Sequence, residues 1–438
     1  MRVRVAGDQL LEAGWQKVVV MKQVIRDPLH GYIAFDELAR AIIDTVEMQR
    51  LRRIRQLGFS YLVYPGANHT RFEHSLGTYH LMNLVLDRLE VAKGDEQELL
   101  AASLIHDVGH GPYSHVTEPL IRKYTGKGHE QIDDVLVHHD PDSRARSEAE
   151  LPARTIADVL DAYCLDRHKL LSYIRGERPD PRQPRDLARI LNGEIDVDKM
   201  DYLVRDSYYT GVAYGVVDNI RLIRGLEFCN QELVITEKGI PPAEYLLFSR
   251  FLMHPTVYNH HTSRIAQVMF VHALEAFIHA QPDVEPDEYA QVLRTMDDAA
   301  ITTALRDAEG YPQELMRRID ERRLFKRAVY AGVNELEPQV VADLQHEQKQ
   351  AEIAAEISAR AGVDQRYVLL DFQQPKQEEL EVSAATVLLG TELKRLREVS
   401  SLVTMLSREF EKQYKIGVYT PEQYRGEVKK AAEAVLQG

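Results

Sequence analysis

Two of the histidines in this 438-residue chain are followed directly by an aspartate, at 106–107 and at 139–140. An imidazole beside a carboxylate can hold a divalent cation or move a proton near neutral pH. With 17 histidines and 68 acidic residues one such dipeptide is expected by chance, so the surroundings must separate the two. His139-Asp140 stands in a polar stretch just before Pro141, whereas His106-Asp107 closes the apolar run 99–105, LLAASLI, and is expected to be buried. Burying such a pair without compensation costs on the order of several kcal/mol, which a bound cation would offset. On the pair alone, a helix C-cap with Asp107 and Gly109 shaping a turn explains it equally well. The flanks favour the cation. Residues 106–115 read HDVGHGPYSH, three histidines and an aspartate around two glycines, which a structural turn does not need. Upstream, RFEHS at 71–75 opens a helix with His74 in its first turns, and downstream IDVDKMDY at 195–202 supplies further carboxylates.

A second constellation lies at 250–260, where Arg250, His254 and Tyr258 recur every fourth residue and share one helix face. Such a stripe lines a cavity or sends polar tips to solvent, and Pro255 is expected to bend the helix that carries it. Arg71 and Lys199 stand beside the histidine and carboxylate motifs, although each alone reads as a solvated surface charge. His129-Glu130, after Gly126-Lys127-Gly128, reads alone as part of an exposed loop.

The elements that must position these groups are mostly helices. Apolar residues recur at helical spacing in Ile42, Ile43, Val46, Leu51 and Ile54, and again through 76–89 and 98–105. Short strands are expected at 2–5, 17–24 and 32–35, loops at 138–152 and 175–185, a hairpin at 227–235 turning on Asn230-Gln231, and a long helix over 242–280. Beyond Pro282 the chain becomes more charged, with helical segments at 320–326 and 347–361, a strand at 366–372 and a last helix at 393–414. The spacing thus predicts a mainly α fold with small β elements at the N-terminus and in the C-terminal region. Its units are a β element over 1–35, a core over 36–281, and a helical region with a few strands over 282–438 for assembly or regulation. The composition, 44% hydrophobic and 28% charged, excludes disordered and fibrous classes, and no apolar run is long enough for a membrane span or a signal-peptide core. A cytoplasmic protein is expected, with Cys164 and Cys229 as reduced, packed thiols. The net charge of −14 argues against avid nucleic-acid binding and requires any anionic substrate to find a local basic pocket.

Long segments carry a family resemblance: 27–33 (DPLHGYI), 49–58 (QRLRRIRQLG), 64–77 (YPGANHTRFEHSLG), the histidine cluster and 193–206 (GEIDVDKMDYLVRD). In this order they resemble the HD superfamily of metal-dependent phosphohydrolases, and within it the dNTP triphosphohydrolase branch that includes the sterile-alpha-motif-and-HD-domain enzymes and their bacterial relatives. The likeness is specific over about 24–225 and weaker to about 380. The sterile-alpha-motif domain is expected to be absent. The resemblance makes 36–281 an HD phosphohydrolase core and implies His74, His106, Asp107 and Asp198 as metal ligands, with Asp196 a structural neighbour. Two imidazoles and two carboxylates suit one divalent transition metal, Fe, Mn, Zn or Ni, with Mg²⁺ accompanying the nucleotide.

The implied substrate is a dNTP, with about four negative charges to be met by cationic donors. The resemblance gives Arg71, Lys199, Arg250 and His254 to the phosphates, and Gln56, Leu57, Tyr202, Asp206 and Tyr258 to the sugar. Asp206 would meet the 3′-hydroxyl, and Leu57 and Tyr258 would leave no room for a ribose hydroxyl. Without the family, Gln56 and Leu57 read as a helix end before Gly58. His110, His115, His129 and Glu130 would serve the chemistry, His115 as general acid oriented by Glu118. The reaction would release deoxynucleoside and triphosphate. Asp44, Gln49, Arg52 and Arg221 align with positions that contact a dGTP or GTP effector, while Gln23 and Arg26 depart from the family's Lys and Asn. A homo-oligomer, tetramer or dimer, is expected. The rivals are an HD hydrolase of cyclic or monophosphate nucleotides or of (p)ppGpp, and an idle nucleotide sensor or nucleic-acid-binding protein.

Overall fold

Asp27 accepts hydrogen bonds from the backbone amides of Leu29 and His30 at 2.8 and 2.9 Å, and Gly31 takes a φ of +74°. The chain therefore reverses between strands β1 (Gln23–Asp27) and β2 (Gly31–Phe35), which pair antiparallel. The computed structural model describes residues 23–137, 155–177, 186–281, 284–373 and 385–436. The expected strand at 2–5, most of that at 17–24, the loop at 138–152 with the second His-Asp dipeptide, and most of the loop at 175–185 lie outside the described residues. β1 runs three residues beyond the expected end, because Asp27 sets the turn.

Helices then build the body, and the fold is mainly α as the spacing predicts. Asp36 caps α1 (Glu37–Ile43) and Thr45 caps α2 (Val46–Arg50). A capping box of Thr70 and Glu73 starts α3 (Arg71–Leu89), which sets His74 one turn in. α4 (Lys93–Ile105) ends at His106, and α5 (Glu118–Thr125) follows the glycine-rich turn. Asp196 caps α6 (Val197–Thr210) by accepting from Lys199 N. The apolar faces of α3 and α4, among them Leu76, Met82, Val85, Leu99, Leu104 and Ile105, are buried in one core.

The expected helix over 242–280 is two helices, α7 (Ile240–Met253) and α8 (His261–His279). Pro255 has no N–H for the carbonyl of Phe251, and Gln413 Nε2 donates to that carbonyl instead, at 3.1 Å. The turn widens so that Asn259 N donates to His254 O, five residues back, at 2.7 Å. The hairpin of β3 (Leu226–Cys229) and β4 (Glu232–Thr236) turns on Asn230 and Gln231, with φ of +49° and +69°.

Further on, α9 (Asp298–Asp307) and α10 (Tyr311–Asp320) pack on α8, and one apolar cluster joins Ile265, Phe270 and Leu274 to Leu293, Ile301 and Leu315 across residue 282. The segment 320–326 is not helical: α10 ends at Asp320, Arg322 takes a φ of +54° and β5 (Lys326–Gly332) begins. α11 (Glu347–Ala361) matches its expected bounds. Residues 365–367 form a single turn before β6 (Leu369–Phe372), because Asp364 caps Arg366 N there.

The segment 393–414 starts as a strand. β7 (Thr386–Leu389) pairs with β8 (Glu392–Arg395) and, in parallel, with β4. A single helical turn at Leu396–Val399 follows the strand, and α12 (Ser401–Phe410) starts after Ser400, whose Oγ accepts from Val403 N. The sequence reading passed over β9 (Lys415–Thr420), the central strand between β5 and β6, and α13 (Arg425–Leu436). Both cysteines are free thiols, and Cys164 is exposed, not packed. Among the described residues no helix is long and apolar enough to cross a membrane.

Candidate functional site

α3, the end of α4 and the start of α6 bring His74, His106, Asp107 and Asp198 together. His74 Nε2 lies 2.8 Å from Asp198 Oδ1, 3.7 Å from Asp107 Oδ2 and 3.3 Å from His106 Nε2. His106 Nε2 lies 3.5 Å from Asp107 Oδ1 and 3.6 Å from Asp198 Oδ1. The far side of each ring is already committed: His74 Nδ1 donates to Asp201 Oδ2 at 2.8 Å, and His106 Nδ1 donates to the Ser103 carbonyl at 2.9 Å. Both Nε2 atoms therefore face the carboxylates. Without a cation, at least one imidazole must carry a second proton there. Burial opposes that, but the bonds from Asp198 and Asp201 and the charge of Asp107 push the His74 pKa up to about 10. Two Nε2 donors and carboxylate oxygens converge here, from buried His74 and Asp107 and from partly exposed His106 and Asp198, and this donor set fits a divalent cation.

Charge around the centre is balanced. Arg71 NH1 donates to Asp107 Oδ2 at 2.9 Å and its Nε to Ser114 Oγ at 2.9 Å. Burial would raise the Asp107 pKa, yet Arg71, His106 and His110 hold it well below the carboxylate range. Asp198 is also held low, by His106 and His74 against burial. Lys199 is a different case: its Nζ donates to Asp196 Oδ2 at 2.6 Å and to the Gly193 carbonyl at 2.8 Å, and it is not among the cavity's lining residues.

The turn after Asp107 carries a second group of histidines. Glu118, at the start of α5, accepts from His115 Nδ1 (2.8 Å) and from His129 Nδ1 (2.7 Å). His110, 1% exposed, stacks on His129 with ring centroids 4.1 Å apart and meets the edge of His115 at 4.7 Å. Burial first, then Arg71 and His129, hold the His110 pKa well below the ordinary range, so its ring is neutral. Glu118 is held low by its two histidine bonds against burial. Glu130 accepts from Asn192 Nδ2 at 3.4 Å, beside His129.

Tyr113 and Ser114 both take left-handed φ, +56° and +59°, a strained backbone that its surroundings must hold. Asp298 does so from α9, accepting from Tyr113 N at 2.6 Å and from Arg55 N at 3.0 Å. Tyr113 Oη is 2.7 Å from Thr302 Oγ1.

A cavity of about 600 Å³ joins these groups. His106, Asp107, Asp198, His110, His115 and His129 lie on its wall, as do Gln56, Leu57, Tyr202, Asp206, Tyr258, Arg250 and His254. Gln56 is buried and its Oε1 has no hydrogen-bond partner. The widened turn leaves Tyr258 close enough to donate to Asp206 Oδ2 at 2.9 Å. Sequence reasoning passed over His69, which donates Nε2 to Asp206 Oδ1 at 2.8 Å, over Asp201, and over Arg122 and Arg264, two guanidinium groups that also line the cavity. Asp201 lies within the 193–206 segment, and its place three residues after Asp198 puts both on one face of α6.

The residues aligned with effector contacts lie at the surface. Asp44 pairs with Arg40 at 3.6 Å, and Gln49 accepts from Arg52 Nε at 2.9 Å. Arg52 stands 3.6 Å over the Phe72 ring, and Arg221 is exposed on a short helix at 219–224.

Residues 71–206 match the model of the HD domain, and residues 217–437 that of the HD associated region. The chain is 34% identical over 410 residues to an uncharacterized protein of Methanocaldococcus jannaschii, covering 92% of this chain and 80% of that one. To the deoxynucleoside triphosphate triphosphohydrolase SAMHD1 of Bos taurus it is 30% identical over 324 residues, covering 65% of this chain and 53% of that protein, about half its length. A solved structure of a hypothetical protein from Aquifex aeolicus superposes with a TM-score of 0.71 at 27% identity, covering 94% of this chain and 100% of that one.

Proposed function

This chain belongs to the HD-domain family, an HD domain followed by an HD associated region, and from that premise we propose that it is a deoxynucleoside triphosphate triphosphohydrolase. The observation that carries the reading is the convergence, in one cavity, of three members of the cation donor set, His106, Asp107 and Asp198, the His110, His115, His129 and Glu118 group, and the guanidinium groups of Arg71, Arg122, Arg250 and Arg264, with His74 buried directly behind Asp198. A cavity of about 600 Å³ is in the range that encloses a nucleotide-sized ligand. A divalent cation held by His74, His106, Asp107 and Asp198 would supply Lewis-acid polarisation of a phosphoryl oxygen and of an attacking water.

The residues do the rest. Arg71, Arg122 and Arg264 are paired with Asp107, Glu118 and Asp371 in the free protein, and together with Arg250 they would share the phosphate charge with those carboxylates. Glu118 fixes His115 Nδ1 as a donor, so that Nε2 is the atom left to act. In the free protein the neighbouring Arg71 and His129 disfavour a second proton on His115. About four negative charges brought alongside raise its proton affinity, so it binds a proton with the substrate and passes it to the departing 5′-oxygen. Water attacks the α-phosphorus, the bond to the 5′-oxygen breaks, and deoxynucleoside and inorganic triphosphate leave. Gln56 Oε1, buried without a partner, is a ready acceptor for a sugar hydroxyl, and Leu57 and Tyr258 close the space beside C2′.

Incubating the protein with each dNTP and Mn²⁺ or Mg²⁺, and resolving the products by ion exchange, tests this. Inorganic triphosphate is the expected product. Pyrophosphate or phosphate in its place, or turnover of only cyclic nucleotides or (p)ppGpp, overturns it. An effector nucleotide at Asp44, Gln49, Arg52 and Arg221 and a homo-oligomer belong to the same proposal. Full activity on every lone dNTP from a gel-filtration monomer would remove that part.

A further inference from the structure

We propose that Asp201 is a positioning residue for the metal ligand His74, and that the N-terminal hairpin completes the arrangement through Asp27 and His30, so that cation binding and hairpin docking are linked. The inference rests on His74 binding the cation. Asp201 is fully buried and both its oxygens are in use. Oδ2 accepts from His74 Nδ1 and from Arg205 Nε, each at 2.8 Å, and Oδ1 accepts from His30 Nε2 at 2.7 Å and from Arg205 NH2 at 3.0 Å. Arg205, also fully buried, donates NH1 to Asp27 Oδ2 at 2.8 Å. The other oxygen of Asp27 holds the hairpin turn through the amides of Leu29 and His30.

A chain of buried charges thus runs from the β1–β2 turn to the back of a metal ligand. Apolar side chains would fill the same space at no desolvation cost, so stability alone does not explain the chain. What apolar groups cannot do is accept a hydrogen bond from His74 Nδ1–H, which fixes the tautomer and directs the Nε2 lone pair at the cation. α3 yields to this arrangement. At Gly77 a Cβ would stand 1.9 Å from Asp201 Oδ1 and 2.5 Å from Arg205 NH2, so the helix carries its poorest former but proline at the point where the pair lies against it. On α6, Asp198, Asp201 and Arg205 occupy one face at intervals of three and four residues. The first meets the cation, the second meets its ligand, and the third meets the hairpin.

The test is Mn²⁺ titration of the full-length protein and of Asp201→Asn and Asp27→Asn, followed by electron paramagnetic resonance, with amide hydrogen exchange of residues 24–34 measured with and without Mn²⁺. Asp201→Asn is expected to weaken Mn²⁺ binding about 10- to 100-fold, the range for loss of such an outer partner. Circular dichroism of the metal-free protein should stay that of the wild type. Asp27→Asn, which touches no ligand, is expected to weaken binding by a smaller factor, at least about threefold, and Mn²⁺ should slow exchange in the wild-type hairpin, as linkage requires. If Asp201→Asn does not fold, Asp27→Asn and the exchange data decide alone. Mn²⁺ affinity within twofold of wild type in the folded variants, with no protection of the hairpin, overturns the proposal while leaving the metal centre standing. A wild type that binds no Mn²⁺ takes both down.

Discussion

Tyr258 donates its hydroxyl to Asp206 Oδ2 at 2.9 Å while His69 donates to Oδ1 at 2.8 Å, so a carboxylate expected to meet a sugar hydroxyl already has each oxygen held by the protein. Each oxygen keeps a lone pair for a ligand, and the two donors fix where it points. Tyr258→Phe removes one of them without changing the packing. Because a hydrogen bond to a charged group is worth about 1.5–3 kcal/mol, dNTP kcat/KM should fall at least about tenfold with metal content unchanged. Steady-state kinetics on each dNTP check this, and unaltered kcat/KM would show that Asp206 needs no orienting.

Glu118 serves two histidines with one carboxylate. In the Glu118→Gln variant one face of the amide becomes a donor, so His115 and His129 cannot both keep their bonds. His115 is held low by its enclosure in the cavity wall and by Arg71 and His129, and the Glu118 bond is the largest influence working the other way. Losing it moves the His115 pKa further down. For a general acid, activity falls as pH rises through its pKa, so the alkaline limb of the kcat profile should shift to lower pH and kcat at neutral pH should drop by about 10²-fold or more. Mn²⁺ affinity should hold, since Glu118 touches no cation donor. A kcat profile that superposes on the wild type would exclude His115 from proton transfer.

How much of this was legible in the sequence depended on how far apart the partners lie. His106, Asp107, His110 and His115 fall within ten residues of one another, and residue types with spacing were enough to single them out. Arg205 lies four residues from Asp201, but the two histidine partners of that carboxylate are 171 residues away in the hairpin and 127 away in α3, and no local pattern connects them. The cation role expected of Lys199 rested on charge and proximity. Its direction follows from Asp196, the cap three residues before it, which draws the ammonium to the start of its own helix. A bend at Pro255 is legible locally, but the partner that makes it stable, Gln413, comes from the far end of the chain. β9 escaped notice because six residues containing Gly417 carry little periodicity by themselves. Their burial is set by β5 and β6 on either side.

Gly109 shows why the histidine turn needs its glycines. A Cβ there would stand 2.1 Å from the His129 carbonyl oxygen and 2.6 Å from Ile132 Cγ2, and the first of these is backbone that cannot rotate away. Gly109→Ala should therefore push the His129 segment outward, break its bond to Glu118 and lower kcat, while His74, His106 and Asp198 keep their places. Overpacking of this kind costs about 1–3 kcal/mol. The expected result is a lowered unfolding midpoint in urea, near-normal Mn²⁺ binding and little turnover. Wild-type turnover would mean that the His129 segment moves without consequence.

The same histidine turn should leave a signature in stability against pH, through Asp298. Asp298 is 4% exposed, and burial pushes its pKa up from 3.8 to about 6 against the pull of the Tyr113 and Arg55 amides and the Arg55 charge. The folded state therefore holds this proton more tightly than the unfolded chain does. That preference stabilises the fold fully below about pH 4 and is lost as pH rises through about 6; at 1.36 kcal/mol per pH unit the change is on the order of 3 kcal/mol. An asparagine at this position does not titrate, so other groups cancel in the difference between the wild type and Asp298→Asn. Urea unfolding of both proteins from pH 4 to pH 8 should give a difference that moves against the wild type between about pH 4 and pH 6 and is flat above. Because Asp298 also holds the left-handed Tyr113, the variant should lose turnover at every pH while keeping its cation. A stability difference that stays constant across the range would mean that the carboxylate keeps its ordinary pKa in the fold, and that its two amide bonds outweigh its burial.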